Sequence, residues 1–401
     1  MICSRSIPNN LPAPCLLGDM ATRSATRTAT AIATADVRYM RRALALARRA
    51  LGLTSPNPMV GAVLVKRGRA IGEGWHMRAG EAHAEPKAIL DAQSRGHSPA
   101  EATLYVTLEP CCTHGRTPPC TELLIRSGVK RVIVGATDPN PKHAGRGFAV
   151  LRRAGIEVIH GVLAAECARL NAAFNHWIVR GTPLVTVKAA MTLDGKMATA
   201  SGESKWITGE AARREGHRLR LAADAVLVGI ETVLADDPAL TVRLPRAREN
   251  TLRRIILDSR ARTPLAAKIV SDEMSQLTTI VVTRDAPARR VAALSRRVRV
   301  LEAPATADGV DLRWLLKRLG KEDVTSLLVE GGGTVNAAFL LGGLAQRVAF
   351  FYAPKIIGGR DAHKAVAGVG ASSLKEALCL RDVRWRKLGP DLMLTACLAA
   401  V

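Results

Sequence analysis

A His-x-Glu pair, His83-Ala84-Glu85, precedes a Pro-Cys pair, Pro110-Cys111, and a further cysteine, Cys120. This order constrains the fold more than any other feature of the chain, because ligand atoms from distant positions must converge on one point. The local pattern puts His83 at the start of a helix expected over His83–Ser94 and Pro110-Cys111 at the end of a strand over Thr103–Leu108. Zinc takes thiolate and imidazole ligands in a tetrahedron, and a catalytic zinc keeps one position for water. One His and two Cys leave that position open, and a carboxylate two residues from the His can reach the water without ligating. His-x-Glu followed by Pro-Cys is the arrangement of zinc deaminases, in which water attacks an amidine carbon and the Glu moves protons. Here the cysteines are not in Cys-x-x-Cys spacing: eight residues separate Cys111 from Cys120. Cys112 and His114 also offer ligand atoms, but adjacent cysteines in such a turn rarely face one metal, so Cys112 is read as packing. A structural zinc site would want a fourth protein ligand and would leave Glu85 without a role.

Apolar residues at Met40, Ala43, Leu44, Ala47 and Leu51 follow the period of a helix that Asp36 can cap, and Ser55-Pro56-Asn57-Pro58 breaks it. Strands are expected at Val60–Val65, Ala70–Trp75, Arg131–Gly135 and Ile156–His160, and the pattern resets around Asn171–Pro183. Beyond the reset, strands fit Leu184–Ala189, Ala225–Gly229, Arg254–Asp258, Thr279–Thr283, Ser326–Glu330 and Val348–Tyr352. Helices fit Glu210–Leu221, Leu312–Leu319 and Val335–Leu341, Arg243–Arg253 reads as loop, and Val383–Leu388 with Leu392–Leu398 reads as a hairpin. Strands alternating with helices on both sides of the reset indicate two α/β layered domains, 36–172 and 182–401. Residues 1–35, with three Arg, one Asp and many Ser, Thr and Ala, read as a disordered extension or as a start assigned ahead of Met20. Their acid-poor composition would also suit an organelle transit peptide.

The formal charge of +23 points toward anionic partners, including phosphorylated small molecules. The excess is spread as Arg pairs without interleaved aromatic residues, which are only 3% of the chain, so a base-stacking surface for nucleic acid is not expected. No apolar run reaches the roughly 18 residues of a membrane span. Eight cysteines, three of them at 111, 112 and 120, read as a metal cluster in a reducing compartment, hence a cytoplasmic protein, rather than as a disulfide framework.

Leu108-Glu109-Pro110-Cys111-Cys112-Thr113-His114-Gly115-Arg116-Thr117-Pro118-Pro119-Cys120 resembles the bifunctional riboflavin-biosynthesis deaminase/reductase family, which stretches the second Cys to this spacing. Supporting matches are Asn57-Pro58-Met59-Val60-Gly61, Asp138-Pro139-Asn140-Pro141, Gly145-Arg146-Gly147, the run Lys188–Lys196, the run Ser201–Thr208, the run Ala235–Arg243, Val329-Glu330-Gly331-Gly332-Gly333 and Ala353-Pro354-Lys355. The resemblance covers about residues 36–399. It implies a cytidine-deaminase-like three-layer domain followed by a dihydrofolate-reductase-like α/β domain. The first would remove the 2-amino group of a diamino-ribosylamino-pyrimidinone 5′-phosphate, and the second would use NADPH to reduce the ribosyl chain to ribityl. By position, His83, Cys111 and Cys120 would hold Zn²⁺, and Glu85 would be the acid/base. Ala190, Trp206, Thr232, Asp236, Ser259, Gly332, Gly333, Thr334, Val335, Asn336, Ala337 and Ala338 would line the NADPH site. Lys188, Ser204, Arg220, Leu240, Arg243 and Glu330 would face the substrate, the two Arg matching a phosphate ester. Asn57 would orient the deaminase substrate or simply form an Asn-Pro turn; Trp206 would serve the cofactor or anchor a core. The partners implied are a phosphorylated pyrimidine and a homo-oligomer, with no nucleic acid and no membrane. Two departures, Cys112-Thr113 where the family has Ser-His and Pro86 after the Glu, touch no implied ligand; Pro is tolerated in the first turn of a helix.

Overall fold

The structure, a computed structural model, describes residues 33–114, 118–244 and 251–399. The first unit comprises α1 (Thr34–Ala47), β1 (Gly61–Lys66), β2 (Arg69–Trp75), α2 (Ala84–Ser94), β3 (Thr103–Leu108), α3 (Cys120–Arg126), β4 (Arg131–Ala136), α4 (Arg146–Arg153), β5 (Glu157–His160), α5 (Ala164–Leu170) and α6 (Ala172–Arg180). Its sheet runs β2-β1-β3-β4-β5, antiparallel through β2, β1 and β3 and parallel from β3 onward. Side chains alternate across the strands, so each face needs its own cover. Ala84, Ala88, Ile89, Leu124, Phe148 and Leu151 bring α2, α3 and α4 onto one face. Tyr39, Met40, Ala43, Leu44 and Cys167 bring α1 and α5 onto the other, making three layers. α2 lies very close to β2, where a Cβ on Gly74 would meet the Ala84 carbonyl oxygen at 2.3 Å. Glycine there lets the helix that begins at the metal motif pack against the sheet.

Asp36, expected as the cap of the first helix, sits inside the first turn instead, with Ala33 at the N-cap. Its buried carboxylate accepts the Tyr105 O–H at 2.8 Å and the Ala33 N–H at 3.3 Å, tying α1 to β3. Long-range pairing thus decided the position of the carboxylate, which helix periodicity does not encode. The expected N-terminal extension lies outside the described residues except for 33–35.

The second unit comprises β6 (Leu184–Thr192), β7 (Lys196–Ala198), α7 (Glu210–Leu221), β8 (Ala225–Gly229), α8 (Ile230–Asp236), β9 (Arg253–Leu257), α9 (Lys268–Ser271), β10 (Thr278–Val282), α10 (Ala288–Ser295), β11 (Arg299–Glu302), β12 (Ala305–Thr306), β13 (Gly309–Val310), α11 (Leu312–Lys321), β14 (Ser326–Val329), α12 (Gly333–Leu341), β15 (Arg347–Ala353), β16 (His363–Lys364), β17 (Leu380–Leu388) and β18 (Asp391–Leu398). Among the described residues nine strands form one sheet, β11-β10-β9-β8-β14-β6-β15-β18-β17, parallel except for the closing β15-β18-β17 meander. Strand β14, late in the chain, inserts between β8 and β6, so the strand order reverses there. In open parallel sheets ligands bind beyond the carboxyl ends of the strands at such a reversal. Two apolar layers cover the sheet. Leu315, Leu319, Phe339 and Leu340 of α11 and α12 pack on one face, and Ile230, Val233, Ile269 and Leu294 of α8, α9 and α10 on the other. Of the Arg243–Arg253 loop, 245–250 lie outside the described residues, and Arg253 already belongs to β9.

Candidate active sites

His83 is the N-cap of α2, Cys111 follows the end of β3, and Cys120 is the first residue of α3. Cys120 Sγ lies 3.3 Å from His83 Nδ1, and Cys111 Sγ lies 3.6 Å from the same nitrogen. All three ligand atoms fall within 4.8 Å of one another. Metal–ligand bonds of about 2.0–2.3 Å require separations of this size between tetrahedral ligands, so one imidazole and two thiols fit zinc with a fourth position free. The two thiols share one proton: Cys111 is pulled down to about 4, chiefly by its hydrogen bond with Cys120, and Cys120 is pushed up by the same bond and by burial. Cys112 turns away, 3.8 Å from His143 Nδ1, and exposed His114 is not among the clustered ligands.

Glu85, the second residue of α2, is 3% exposed. Burial, reinforced by the charge of Cys111, raises its carboxyl to about 7. A carboxyl poised there both accepts and returns a proton near neutral pH. His83, Cys111 and Glu85 border a cleft of about 310 Å³, lined also by Asn57, His76, Asp138, Asn140 and His143. Asn57 Nδ2 lies 3.1 Å from His76 Nε2, and His76 Nδ1 lies 3.3 Å from the Ala82 carbonyl. An Nδ1–H donated to Ala82 leaves Nε2 to accept from Asn57, so Asn57 both follows the turn and reaches the cleft.

Glu109, which sequence reasoning quoted without a role, organises the opposite wall. Its buried carboxylate accepts the backbone N–H groups of Asp138, Gly145 and Gly147 at 3.2, 2.9 and 2.9 Å. A Cβ on Gly147 would meet the Pro110 carbonyl oxygen at 2.4 Å, so Gly145-Arg146-Gly147 is shaped by this approach to the strand that carries Cys111.

In the second unit the residues assigned by resemblance gather along one sheet edge. Lys188 and Ala190 lie on β6, Thr232 and Asp236 on α8 after β8, Ser259 just past β9, and Glu330 and Gly332 just past β14. Strands β9, β8, β14 and β6 are adjacent and parallel, so their carboxyl ends face one crevice. Gly332 is the N-cap of α12, and a Cβ there would meet nothing within 4 Å. Free backbone N–H groups at an unobstructed helix start can take a phosphate, so this turn fits a nucleotide cofactor. Gly331 and Gly333 serve packing, since a Cβ would meet Val335 at 2.5 Å and the Lys364 carbonyl oxygen at 2.3 Å respectively. Thr334 and Ala338 are exposed on α12 and Val335 is half-buried. Asn336 and Ala337 are buried, Asn336 Nδ2 donating to the Ala365 carbonyl oxygen at 2.9 Å, so the crevice meets these two through backbone only. Trp206 is 62% exposed under the Arg213 guanidinium, which rules out the core-anchor alternative, and half-buried Ser204 lies in the same loop. Lys205 pairs with Asp236 at 3.2 Å and ties that loop to α8.

Glu330 is the electrostatic centre of the crevice. Arg220 grips it through two hydrogen bonds of 2.7 and 3.0 Å, and Lys188 Nζ lies 3.4 Å away. Burial would raise its carboxyl, but the two cations win and hold it at about 2. Arg220 also donates to the Thr241 carbonyl oxygen at 3.0 Å. It is therefore neither a solvated helix face nor a free phosphate fork. Exposed Arg243 remains available for an anion, its backbone N–H donating to His217 Nδ1 at 3.3 Å. Leu240 is buried in the apolar layer behind β8 and β9, so its side chain turns from the crevice.

Comparisons with known proteins agree with this two-part architecture. Residues 183–394 match the RibD C-terminal domain, and residues 33–136 match the cytidine and deoxycytidylate deaminase zinc-binding region. The chain is 45% identical over 359 residues to riboflavin biosynthesis protein RibD of Actinobacillus pleuropneumoniae, spanning 90% of this chain and 94% of that one. It is 41% identical over 367 residues to RibD of Escherichia coli, spanning 90% and 98%. Among solved structures, Acinetobacter baumannii RibD matches with a TM-score of 0.80 at 37% identity, covering 91% of this chain and 99% of that one. The diaminohydroxyphosphoribosylaminopyrimidine deaminase/5-amino-6-(5-phosphoribosylamino)uracil reductase of Thermotoga maritima matches with a TM-score of 0.76 at 36% identity and the same coverage.

Proposed function

Since the chain belongs to the RibD family of bifunctional riboflavin-biosynthesis enzymes, with a zinc deaminase and an NADPH-dependent reductase in one polypeptide, we propose which of its residues perform each reaction. The deaminase substrate is the diamino-ribosylamino-pyrimidinone 5′-phosphate, and its deaminated product is the substrate of the reductase. The division falls at 36–172 and 182–401, with α6 between the two sheets.

His83, Cys111 and Cys120 would hold zinc, which when bound would lower the pKa of a water toward 7. Glu85 would accept one proton from the attacking water and give it to the ring nitrogen beside the amidine carbon, then take the proton of the added hydroxyl and give it to the amino group, which leaves as ammonia while the carbonyl forms. Its elevated carboxyl suits both directions of transfer. Asn57, held by His76, orients the ring. The observation that carries this reading is the convergence of His83, Cys111 and Cys120 beside a fully buried Glu85.

In the reductase crevice NADPH supplies the hydride. The start of α12 would receive a cofactor phosphate through backbone N–H groups from Gly332 onward, and Ala190, Trp206, Thr232, Asp236 and Ser259 would contribute to holding the cofactor. Arg243 faces the sugar phosphate. Lys188, fixed by Glu330, places an ammonium beside the reacting sugar chain, and Arg220 keeps Glu330 ionised and in place. Among the described residues no helix is long and apolar enough to cross a membrane. The reduced thiol cluster suits a cytoplasmic enzyme. Strand β17, an edge strand with Leu380, Val383 and Trp385 exposed, supports assembly into a homo-oligomer.

The test is an anaerobic assay of the purified protein with the diaminopyrimidinone ribosyl phosphate, following ammonia release and NADPH oxidation separately. Deamination that persists without NADPH, together with NADPH oxidation when both are present, is the expected result. Absence of both signals in zinc-loaded protein would overturn the assignment.

A further inference from the structure

The deaminase cleft has a wall that the zinc motif does not supply. Phe174, Trp177 and Ile178, at helical spacings of three and four residues, project from α6 into the cleft beside Asn57, His76 and Glu85. All three are only half-buried, and none belongs to the apolar cores on either side of the sheet. Three large apolar side chains on one helix face, only partly covered by protein and turned toward a polar metal cleft, are suited to a flat heterocycle.

The helix is pinned at both ends. At its start, the Asn171 side chain accepts the Met59 N–H at 2.8 Å and donates to the Met59 carbonyl at 2.9 Å, fixing α6 to the loop that carries Asn57. At the other end, Trp177 Nε1–H donates to the Gly320 carbonyl oxygen of α11 in the second unit at 2.8 Å. Contact there is close: a Cβ on Gly320 would meet the Gly181 carbonyl oxygen at 2.0 Å. One indole therefore touches the cleft with its ring and the reductase half with its N–H.

We propose that Trp177, seconded by Phe174, is a specificity-determining wall of the deaminase pocket that holds the pyrimidinone against the metal triad, and that the reductase half sets its position through Gly320. This rests on reading the cleft as the deamination site. It makes the two halves structurally dependent although their reactions are separate: the deaminase pocket is incomplete without the helix that docks on the second unit.

The test uses the full chain as wild type, Trp177→Ala, Trp177→Phe and Phe174→Ala. Ammonia release is measured against substrate concentration, NADPH oxidation is measured with the deaminated intermediate supplied directly, and zinc content is measured for each protein. Trp177→Ala is expected to raise the deamination KM about tenfold or more while leaving kcat within about threefold, as loss of a binding surface should. Zinc content and the KM of the reduction stay at wild-type values. Trp177→Phe restores most of the KM, and Phe174→Ala gives a smaller rise in the same direction. Unchanged deamination KM in both Trp177→Ala and Phe174→Ala overturns the proposal, as does a parallel fall of zinc content and both activities, which would make α6 a structural brace only. Wild-type protein that releases no ammonia would instead refute the reading of the cleft itself.

Discussion

Replacing Arg220 by Met tests the electrostatic account of the reductase crevice. The substitution keeps an unbranched side chain on α7 but removes the guanidinium that grips buried Glu330. Glu330 is held at about 2 instead of the ordinary 4.5. At 1.36 kcal/mol per pKa unit that difference, the net of Arg220 and Lys188 against burial, is worth about 3 kcal/mol; Arg220, the stronger of the two cations, carries most of it, within the usual range for breaking a buried ion pair by removing one partner. The direction with pH follows from linkage. A depressed carboxyl contributes stability that is fully present above its unfolded value, near 4.5, and is lost as pH falls through its folded value, near 2. The difference between wild type and Arg220→Met should therefore be about 3 kcal/mol at pH 7 and shrink to roughly half that at pH 3. Urea unfolding monitored by tryptophan fluorescence measures it, and the transition that moves when NADPH is added identifies the reductase half. A loss below about 1 kcal/mol at pH 7, typical of a solvent-exposed pair, would refute the reasoning. So would a loss that stays constant across this pH range.

Glu85→Gln should retain stoichiometric zinc, read by metal analysis, while ammonia release falls about 10²–10⁴-fold, the usual contribution of a positioned acid/base; near-wild-type turnover would remove Glu85 from the mechanism. Arg243→Ala should raise the KM for the sugar-phosphate substrate of the reduction about tenfold or more with little change in the KM for NADPH, and equal rises in both would place Arg243 elsewhere. Glu109→Ala leaves three backbone N–H groups at 138, 145 and 147 without their acceptor. It should lower the unfolding free energy of the deaminase half by about 2–5 kcal/mol, and a loss under about 1 kcal/mol would show that the loop holds its shape without it.

The zinc site was legible because its chemistry tolerates few residue types and its three ligands sit at element ends that local pattern locates. Helix α2 and strand β3 begin and end almost where periodicity put them, and that alone brings His83 and Cys111 to one edge of the sheet. The parallel strands were equally legible as short apolar runs, with β8 and α7 matching the expected bounds residue for residue. What periodicity missed were elements too short or too polar to show it, such as α8, α10 and β11. Partnership was hidden for a different reason. Arg220 is one of four arginines on its helix, 110 residues from Glu330 in the sequence, and no local signal marks which of them makes a contact across that distance. Trp177 was hidden in the same way: it lies in the stretch read as a boundary, and only docking of α6 shows that its ring borders one site while its N–H binds the other unit.

Both halves nevertheless build their sites with one device, a largely buried glutamate immediately after a strand that pairs in parallel with a neighbour, and the difference in its partners explains their unequal visibility. Glu109 follows β3 and binds three backbone N–H groups. Because its partners are peptide groups, the demand on sequence falls on chain conformation, and the close approach of Gly147 to Pro110 leaves Gly-Arg-Gly as its trace. Glu330 follows β14 and binds a guanidinium and an ammonium. Its demand falls on two charged side chains from α7 and β6, each ordinary in its own surroundings. A carboxylate bound by backbone stays put when neighbouring side chains change, whereas one bound by Arg220 and Lys188 loses its counter-charges with them. The deaminase wall should thus tolerate substitution at Asp138 and Arg146 far better than the reductase crevice tolerates loss of Arg220, even though both loops hang from a single buried carboxylate.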